Sequence, residues 1–223
     1  MKRTKTLALV LRRTNFGEAD RIVNFITPEG RMVGVARGAR KQKSKLAGGL
    51  EVFALNEIIF AEGKSEMRTI ISARMKEFYG EIIKDLARTE FGYFAIQQIA
   101  RLSDSIDSQE FFEILLKTFV SLNDSKINIE LIRKWFLLRI AEFSGREINL
   151  QTDKNGEELR ADSKYDFDIF EKVFVKNSNG EFDANDIKFL RLMASSEPRV
   201  LAKITGGAQI LQKVDKIIRA VEE

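Results

Sequence analysis

The stretch Asp20-Arg-Ile-Val-Asn-Phe-Ile-Thr27-Pro-Glu-Gly30-Arg-Met-Val-Gly-Val-Ala-Arg37 decides the fold of the first part of this chain. Its two apolar segments, residues 20–27 and 32–37, flank a Pro-Glu-Gly insert of hairpin-turn length. Three similar segments lie nearby, at residues 6–13, 50–61 and 68–74. Strands this short and this close leave no room for crossover helices between them. The sequence therefore predicts a small antiparallel barrel, and the five-stranded OB-fold is such a barrel that binds nucleic acid.

From about residue 76 onward, apolar residues recur every three or four positions, which is typical of helices packed in a bundle. The pattern predicts helices over residues 90–102, 109–122 and 131–143, and shorter ones over residues 186–194, 197–204 and 209–221. Between these two groups the chain is polar and rich in turn signals. We therefore expect an α+β protein: an OB-fold β-barrel at residues 1–78, then an all-α helical domain at residues 79–223 with a polar, turn-rich insert at about 144–183.

The chain of 223 residues contains neither cysteine nor histidine. Disulfides, thiolate nucleophiles and Cys-ligated metal centres are excluded, and so are the commonest general base and the usual serine-hydrolase triad. Carboxylates with Mg²⁺, a lysine base or a Ser–Lys pair remain as routes to catalysis. No apolar run has the length of a membrane span, and the N-terminus lacks the form of a signal peptide. We expect a cytoplasmic protein without a cofactor.

Positive charge is concentrated in the predicted barrel. Residues 1–80 contain 16 Lys/Arg and 8 Asp/Glu, a net charge of +8, whereas the whole chain has a net charge of +4. The loop Arg37-Gly-Ala-Arg-Lys-Gln-Lys-Ser-Lys45 contributes five cations and no anion, and Gly48-Gly49 follows it. Short basic runs are often solvated loops, but this one lies on a domain that is itself basic. A phosphate backbone is the partner that such a cluster favours, because each contact releases condensed counterions.

We predict a nucleic-acid interface built from the loop and from nearby strand ends. The predicted DNA-binding residues are Arg12, Arg13, Arg21, Arg37, Arg40, Lys41, Lys43 and Lys45. Stacking aromatics usually accompany basic grooves in single-strand binders. Phe25, Phe53 and Phe60 occupy apolar strand positions and are predicted core residues, whereas Phe16 lies in a polar turn and is the one candidate for stacking. Binding should therefore depend on phosphate contacts, with little sequence preference and strong salt dependence.

Two other motifs carry less weight. Gly63-Lys64-Ser65 resembles the end of a phosphate-binding P-loop, but the required glycine five positions earlier is replaced by Ile58, so a β-turn is the better interpretation. Carboxylates that could in principle hold Mg²⁺ for phosphodiester cleavage are Glu157, Glu158, Asp162, Asp166 and Asp168. Because they lie among Asn, Gly and Lys, a solvated acidic face is the favoured interpretation. We predict no metal site.

Four motifs within residues 9–50 match a known protein family in their order and spacing. They are Leu9-Val-Leu-Arg-Arg-Thr-Asn-Phe-Gly-Glu-Ala-Asp-Arg-Ile-Val23, Thr27-Pro-Glu-Gly30, Ala36-Arg-Gly-Ala-Arg-Lys41 and Leu46-Ala-Gly-Gly-Leu50. Together they resemble the N-terminal domain of the bacterial DNA repair protein family RecO, over roughly the first 80 residues. The segment Trp135-Phe-Leu-Leu-Arg-Ile-Ala-Glu-Phe-Ser-Gly145 is similar to the family's central helix.

The resemblance implies a recombination mediator and not an enzyme. Such proteins bind single- and double-stranded DNA, anneal complementary strands, engage the acidic C-terminal tail of single-strand-binding protein, and work with RecR, often RecF, to load RecA on gaps. Candidate cations for that tail are Arg133, Lys134 and Arg139, whose alternative role is that of ordinary surface charges on a helix. Many family members carry Cys pairs that look like a zinc site where this chain has residues 150–183. This chain has none there.

Two other functions stay open from the residues themselves. An OB-fold module acting on RNA would use the same phosphate contacts, and only contacts to the 2′-hydroxyl would distinguish it. A Mg²⁺-dependent nuclease would use the carboxylates between residues 157 and 168. Incubation with labelled single-stranded DNA and Mg²⁺ separates the nuclease from an annealing protein, because only the nuclease shortens the strand.

Overall fold

A computed structural model of the chain describes residues 3–61 and 67–222. The Gly63-Lys64-Ser65 turn lies outside the described residues. The chain forms two compact units, Met1–Ser125 and Lys126–Glu223. The boundary predicted after residue 78 falls at the end of the last barrel strand, inside the first unit. Among the described residues, no helix combines the length and the apolar character that crossing a bilayer requires.

The first unit contains a barrel and two helices. Their bounds are β1 (Arg3–Phe16), β2 (Asp20–Thr27), β3 (Gly30–Ala36), β4 (Ala54–Ala61), β5 (Arg68–Phe78), α1 (Leu86–Leu102) and α2 (Glu110–Leu122). The strands close a barrel in the order β1-β2-β3-β5-β4. All neighbours are antiparallel except β3 and β5, whose parallel pairing is limited to Gly34 with Arg68 and Val35 with Thr69. The predicted five-stranded OB-like barrel, followed by a helical region in an α+β protein, is confirmed.

Strand β1 is long because it pairs with two different strands along its length. Its first half pairs with β4 and its second half pairs with β2, and the register shifts between Val10 and Arg12. Such a bulge bends a strand and increases its twist, which lets one strand follow the curve of a small barrel. Ala8 and Val10 belong to the barrel core, while α1 and α2 pack on the same strand. Burial from two sides explains why Leu7-Ala-Leu-Val-Leu11 is almost continuously apolar.

The barrel core consists of side chains that point inward from all five strands and from the loop after β3. Its buried members are Ala8, Val10, Val23, Phe25, Met32, Ala36, Ala39, Leu50, Ile58, Phe60, Ile70 and Ala73. Phe25 and Phe60 meet edge to face, with ring centroids 5.8 Å apart. Phe53 is also buried, against Phe119 of α2. The predicted core roles of these three phenylalanines are confirmed.

Helix α1 packs closely on the residue that precedes β4. Phe53 has a left-handed φ of 56°, and its ring lies 4.9 Å from that of Tyr93. A Cβ on Gly92 would come within 2.6 Å of the Phe53 ring, so the helix can approach only because residue 92 has no side chain. Arg88, also on α1, donates to the carbonyls of Leu122, Asp124 and Ser125. These bonds satisfy carbonyls at the end of α2, which a helix leaves without intrahelical partners.

The second unit contains five helices and a small sheet within the described residues. Their bounds are α3 (Ile129–Ala141), β6 (Tyr165–Asp168), β7 (Val173–Lys176), α4 (Ala184–Ser195), α5 (Pro198–Leu201), α6 (Gly207–Lys213) and α7 (Asp215–Glu222). The sheet β6–β7 lies within the segment predicted to be a turn-rich insert. The final predicted helix is interrupted at Val214, which separates α6 from α7.

An aromatic cluster holds the β6–β7 segment together. Tyr165, Phe174 and Phe182 are buried, and Phe174 lies edge to face with both of the others as well as with Phe167. The backbone of Tyr165 pairs with that of Phe182 in both directions, at 2.9 and 2.8 Å. Edge-to-face contacts between buried rings add stability beyond that of buried area alone. Packing of aromatic rings therefore orders a segment that has no cysteine.

Candidate nucleic-acid interface

The basic loop, residues 37–45, is fixed against the turn that joins β1 to β2. The Gly38 amide donates to the Asp20 carboxylate at 2.7 Å, and the Arg40 amide donates to the Ala19 carbonyl at 2.9 Å. Consecutive turns shape the loop itself, since the Lys41 amide donates to the Gly38 carbonyl and the Ser44 amide to the Lys41 carbonyl. The loop therefore has an ordered backbone that holds its cations at one end of the barrel.

Glycines allow this arrangement at two points. Gly38 has a φ of 66°, a left-handed conformation that glycine adopts without strain. Behind the loop, residues 47–49 form a 3-10 turn that packs on β5. A Cβ on Gly49 would lie 2.2 Å from the Ala73 carbonyl carbon, so no other residue fits there without a backbone shift. The Gly48-Gly49 pair thus has a structural role in seating the end of the loop.

Four of the five loop cations border an open depression of about 780 Å³ between the loop and the β1–β2 turn. They are Arg37, Lys41, Lys43 and Lys45. All four are exposed, and none forms an ion pair with any residue of the described ranges, 3–61 and 67–222. The fifth, Arg40, donates to the Gly17 carbonyl at 3.3 Å and so helps to fix the loop. Glu18 and Asp20 also line the depression.

The predicted cations on the strands differ in availability. Arg12 is exposed on β1. Arg13 donates to the Leu50 carbonyl at 3.1 Å and pairs with Glu51 at 3.0 Å, so its charge is engaged within the barrel. Arg21 lies 3.4 Å from the Asn15 side-chain oxygen. Arg12 and Arg21 therefore extend the basic surface, whereas Arg13 mainly ties β1 to the segment before β4.

Phe16 ends β1 beside the turn on which the loop rests. Its side chain is 53% exposed, in contrast to the buried phenylalanines of the core. Gly17 follows it with a φ of 53°, and the Gly17 carbonyl accepts from Arg40. An exposed ring next to an arginine provides a flat surface for an unpaired base. Its role as a stacking residue stays a prediction.

Sequence reasoning missed two cations on β5. Arg74 and Lys76 are exposed near the end of the strand, and the backbone of Arg74 lies under the 3-10 turn behind the loop. Together with Lys5, which lies 3.0 Å from Glu57, they lower the pKa of that carboxyl, chiefly through the Lys5 hydrogen bond. The alternation of polar and apolar residues through Phe78 could have revealed them, because it extends β5 beyond residue 74.

The three cations predicted to bind a partner have neighbours of their own within the second unit. Lys134 is largely buried and pairs with Asp215 at 2.6 Å. Arg139 contacts the Ala194 carbonyl and pairs with Glu142. Arg133 is half exposed and lies 3.6 Å from Glu130. Of the three, only Arg133 presents its charge on the surface, and its role in partner binding stays a prediction.

Three of the five carboxylates considered for Mg²⁺ serve local structure. Asp162 pairs with Arg160, and Asp166 accepts from the Asn177 side chain, contacts that lower the pKa of both carboxyls. Asp168 accepts from the amides of its own turn, which also lowers its pKa. Within the described part of the chain, no three carboxylates gather as a metal site would require.

Comparison with known proteins gives a consistent result. A sequence model described as "Recombination protein O N terminal" matches residues 1–79, which span the five barrel strands. The DNA repair protein RecO of Dehalococcoides mccartyi is 28% identical, over 97% of this chain and 88% of the relative. Its barrel region matches the RecO N-terminal model, and nearly the whole chain is similar to RecO proteins. The resemblance inferred from the motifs is confirmed, and it places the chain among proteins of DNA repair and recombination.

Two other RecO proteins are also similar to this chain. The DNA repair protein RecO of Heliobacterium modesticaldum is 26% identical, over 98% of this chain and 84% of the relative. That of Roseiflexus sp. is 36% identical, over 53% of this chain and 42% of the relative. The first alignment shows that the similarity to RecO proteins includes the helical region as well as the barrel.

Proposed function

We propose that this protein binds single- and double-stranded DNA through its basic loop and the adjoining barrel rim, anneals complementary strands, and helps to load RecA recombinase on gaps covered by single-strand-binding protein. One observation carries the DNA-binding part of the proposal. Four cations without ion-pair partners in the described residues border one depression on an anchored loop. The annealing and loading steps are supported by the similarity of the chain to RecO proteins.

The chemistry of the loop suits a phosphate backbone. Lysine and arginine neutralise phosphates and release counterions, which gives affinity without sequence preference. Pairing two strands requires that their mutual repulsion be screened while their bases stay accessible. A cationic depression that is open on one side meets both requirements, because it contacts phosphates and encloses no base. Annealing needs no nucleophile or general base, so we propose that the protein is not an enzyme.

The proposed partners follow from the family. They are RecR, often with RecF, and the acidic C-terminal tail of single-strand-binding protein. For that tail, Arg133 is the candidate cation on the surface of the second unit, while Lys134 and Arg139 act mainly within the unit. The same proposal places the protein's work in the bacterial cytoplasm, at the nucleoid.

A strand-annealing assay tests the proposal. Two complementary labelled oligonucleotides, each covered by single-strand-binding protein, are mixed with and without this protein, and duplex formation is followed over time. We expect faster duplex formation with the wild-type chain and a much smaller effect when Lys41, Lys43 and Lys45 are changed to Gln. No acceleration by the wild-type protein would contradict annealing.

Two further arms separate the alternative functions. Single-stranded DNA incubated with the protein and Mg²⁺ should keep its length, and shortened product would instead identify a nuclease acting through the carboxylates of the second unit. Binding to DNA and RNA of the same sequence is then compared. Clearly tighter binding to RNA would favour the RNA-binding alternative, because it requires contacts to the 2′-hydroxyl.

A further inference from the structure

The helices cover only part of the outer face of the β1–β2–β3 sheet. Leu9 and Ile26 lie opposite each other on this face and are fully buried, although neither belongs to the barrel core. Helices α1 and α2 pack on β1, and α2 also packs on β2, which accounts for this burial. Toward the β1–β2 turn, the outer residues of β1 are the exposed Arg12, Thr14 and Phe16. The outer face is therefore closed by helices at one end and open to solvent at the end next to the basic loop.

Three rows of residues make up the open end. Because residues opposite each other on paired strands lie on the same face of a sheet, the register assigns each row. The rows are Arg12 with Asn24 and Val33, Thr14 with Ile22 and Val35, and Phe16 with Asp20. Ile22 and Val35 are half-buried apolar side chains, and Phe16, about 7 Å further along the face, is an exposed ring. These three residues form an apolar strip that ends at an exposed aromatic side chain.

Cations lie at both ends of the apolar strip. Arg12 is exposed beside one end and forms no ion pair within residues 3–61 and 67–222. At the other end, Asp20 shares the row of Phe16 and also lines the depression that the four loop cations border. These five cations face the carboxylates of Glu18 and Asp20, and the Asp20 carboxylate already accepts from the Gly38 amide. A chain whose phosphates lie in the depression can therefore continue past Phe16 toward Arg12.

The combination of cations and an exposed ring distinguishes between the two forms of DNA. A single strand offers both a phosphate and a free base face at each nucleotide, so it can contact cations and an aromatic ring together. Duplex DNA offers the same phosphates, but its base faces are stacked on one another inside the helix. The loop cations therefore contribute to the binding of both forms, whereas the ring of Phe16 contributes only where bases are unpaired.

We propose that Phe16 stacks on an unpaired base and makes this surface prefer single-stranded to duplex DNA. The inference rests on the proposed DNA binding and names the residue that distinguishes the two forms. The turn after Phe16 is fixed, since the Gly17 carbonyl accepts from Arg40, so little conformational freedom is lost when a base stacks on the ring. Once two strands have paired, this contact is lost and phosphate contacts alone remain. The annealed product is therefore released more easily than the single strands.

Fluorescence anisotropy with the full chain tests the inference on a labelled single strand and on the duplex of the same sequence. Phe16→Ala should weaken binding of the single strand by about 5- to 100-fold, the range that loss of one base–aromatic stack predicts. It should leave the affinity for the duplex unchanged. The salt dependence of single-strand binding should also stay the same, because the substitution removes no charge. Phe16→Trp keeps a ring at this position and should bind the single strand at least as tightly as the wild-type protein does.

A single strand with abasic sites gives the sharper result. Such a strand keeps its phosphates and lacks the bases, so Phe16→Ala should bind it as tightly as the wild-type protein does. The substitution and the missing bases then form a double-mutant cycle that isolates the stacking contact from any general effect on the barrel. Phe170→Ala removes an exposed ring of the second unit and is the matched control, which should bind every strand like the wild-type protein.

Three outcomes would overturn the role of Phe16 alone. The first is a Phe16→Ala variant that binds the single strand as tightly as the wild-type protein does. The second is an equal loss of affinity for the single strand and the duplex, and the third is the same loss on the abasic strand. In each case the wild-type chain still binds DNA, so the proposed function stands. A wild-type chain that binds neither form of DNA would overturn the proposed function and this inference together.

Discussion

Removing the lysines of the basic loop should change the salt dependence of DNA binding by a calculable amount. Lys41, Lys43 and Lys45 are exposed and form no ion pair within the described residues, so replacing them with Gln should leave folding intact. Arg40 is kept because it donates to the Gly17 carbonyl. The plot of log affinity against log salt has a negative slope. If each lysine contacts one phosphate, the triple variant should make this slope shallower by about 2.7 for duplex DNA and by about 2.1 for single strands.

The same arithmetic gives the change in affinity that would be observed. Between about 50 and 200 mM salt, three duplex contacts account for roughly a 40-fold loss of affinity, and three single-strand contacts for roughly a 20-fold loss. In the triple variant, the same increase in salt should therefore reduce the affinity for DNA by that factor less than in the wild-type protein. Fluorescence anisotropy with labelled oligonucleotides of two unrelated sequences measures the affinity at each salt concentration. The reduction in salt dependence should be equal for both sequences, because phosphates carry no sequence information.

A matched control separates local contacts from net charge. Lys176, Lys188 and Lys203 are exposed on the second unit, and their replacement by Gln changes the net charge by the same amount. This control should bind DNA with nearly the wild-type slope. The reasoning is refuted if the loop variant keeps the wild-type slope, or if the control loses as much slope as the loop variant.

Three further predictions concern stability, each measured by urea unfolding. Arg88→Met should lower the free energy of unfolding by about 3 kcal/mol, because it leaves carbonyls at the end of α2 without their donor, and an unchanged urea midpoint would contradict this role. Gly49→Ala should destabilise by about 2 kcal/mol or more, since its Cβ would overlap the Ala73 carbonyl, whereas Gly48→Ala meets open space and should cost little. The Lys134 hydrogen bond lowers the pKa of Asp215, so its contribution is present above the unfolded carboxyl's pKa of about 4 and is lost as the pH falls further. Asp215→Asn should therefore flatten the decline in stability between about pH 5 and pH 2, and an unchanged pH profile would argue against the pair.

Much of the barrel could be predicted from the sequence because its signals are local. The Pro28-Glu29 turn and the alternation in β3 specify a hairpin within a few residues. Other features depend on distant residues. Helix α1 begins at Leu86, four residues before the predicted start, because the Asp85 side chain accepts from the Arg88 amide. The β6–β7 sheet was not predicted, because its strands are only four residues long. The aromatic side chains that stabilise them are separated by turns in the sequence and therefore give no regular pattern.

The candidate site shows the same division between local and distant information. The charge of the loop is visible in the sequence, and the structure places four of its five cations around one depression. Which cations are already engaged cannot be seen from the sequence, because their acceptors are remote: Arg13 reaches Leu50, and Arg40 reaches Gly17. Long-range hydrogen bonds of this kind appear only when the strands are assembled.

The parallel pairing of β3 with β5 has a consequence for motion in the barrel. Only two residue pairs close the barrel there, whereas every other seam has at least seven. A short ladder is the place where a sheet opens first in local unfolding, so amide hydrogen exchange should be fastest along this seam. The basic loop leaves β3 one residue after Ala36, next to the same seam. Because Gly38 and Arg40 hold the loop to the β1–β2 turn, opening of this seam should separate β3 from β5 while the loop cations keep their arrangement.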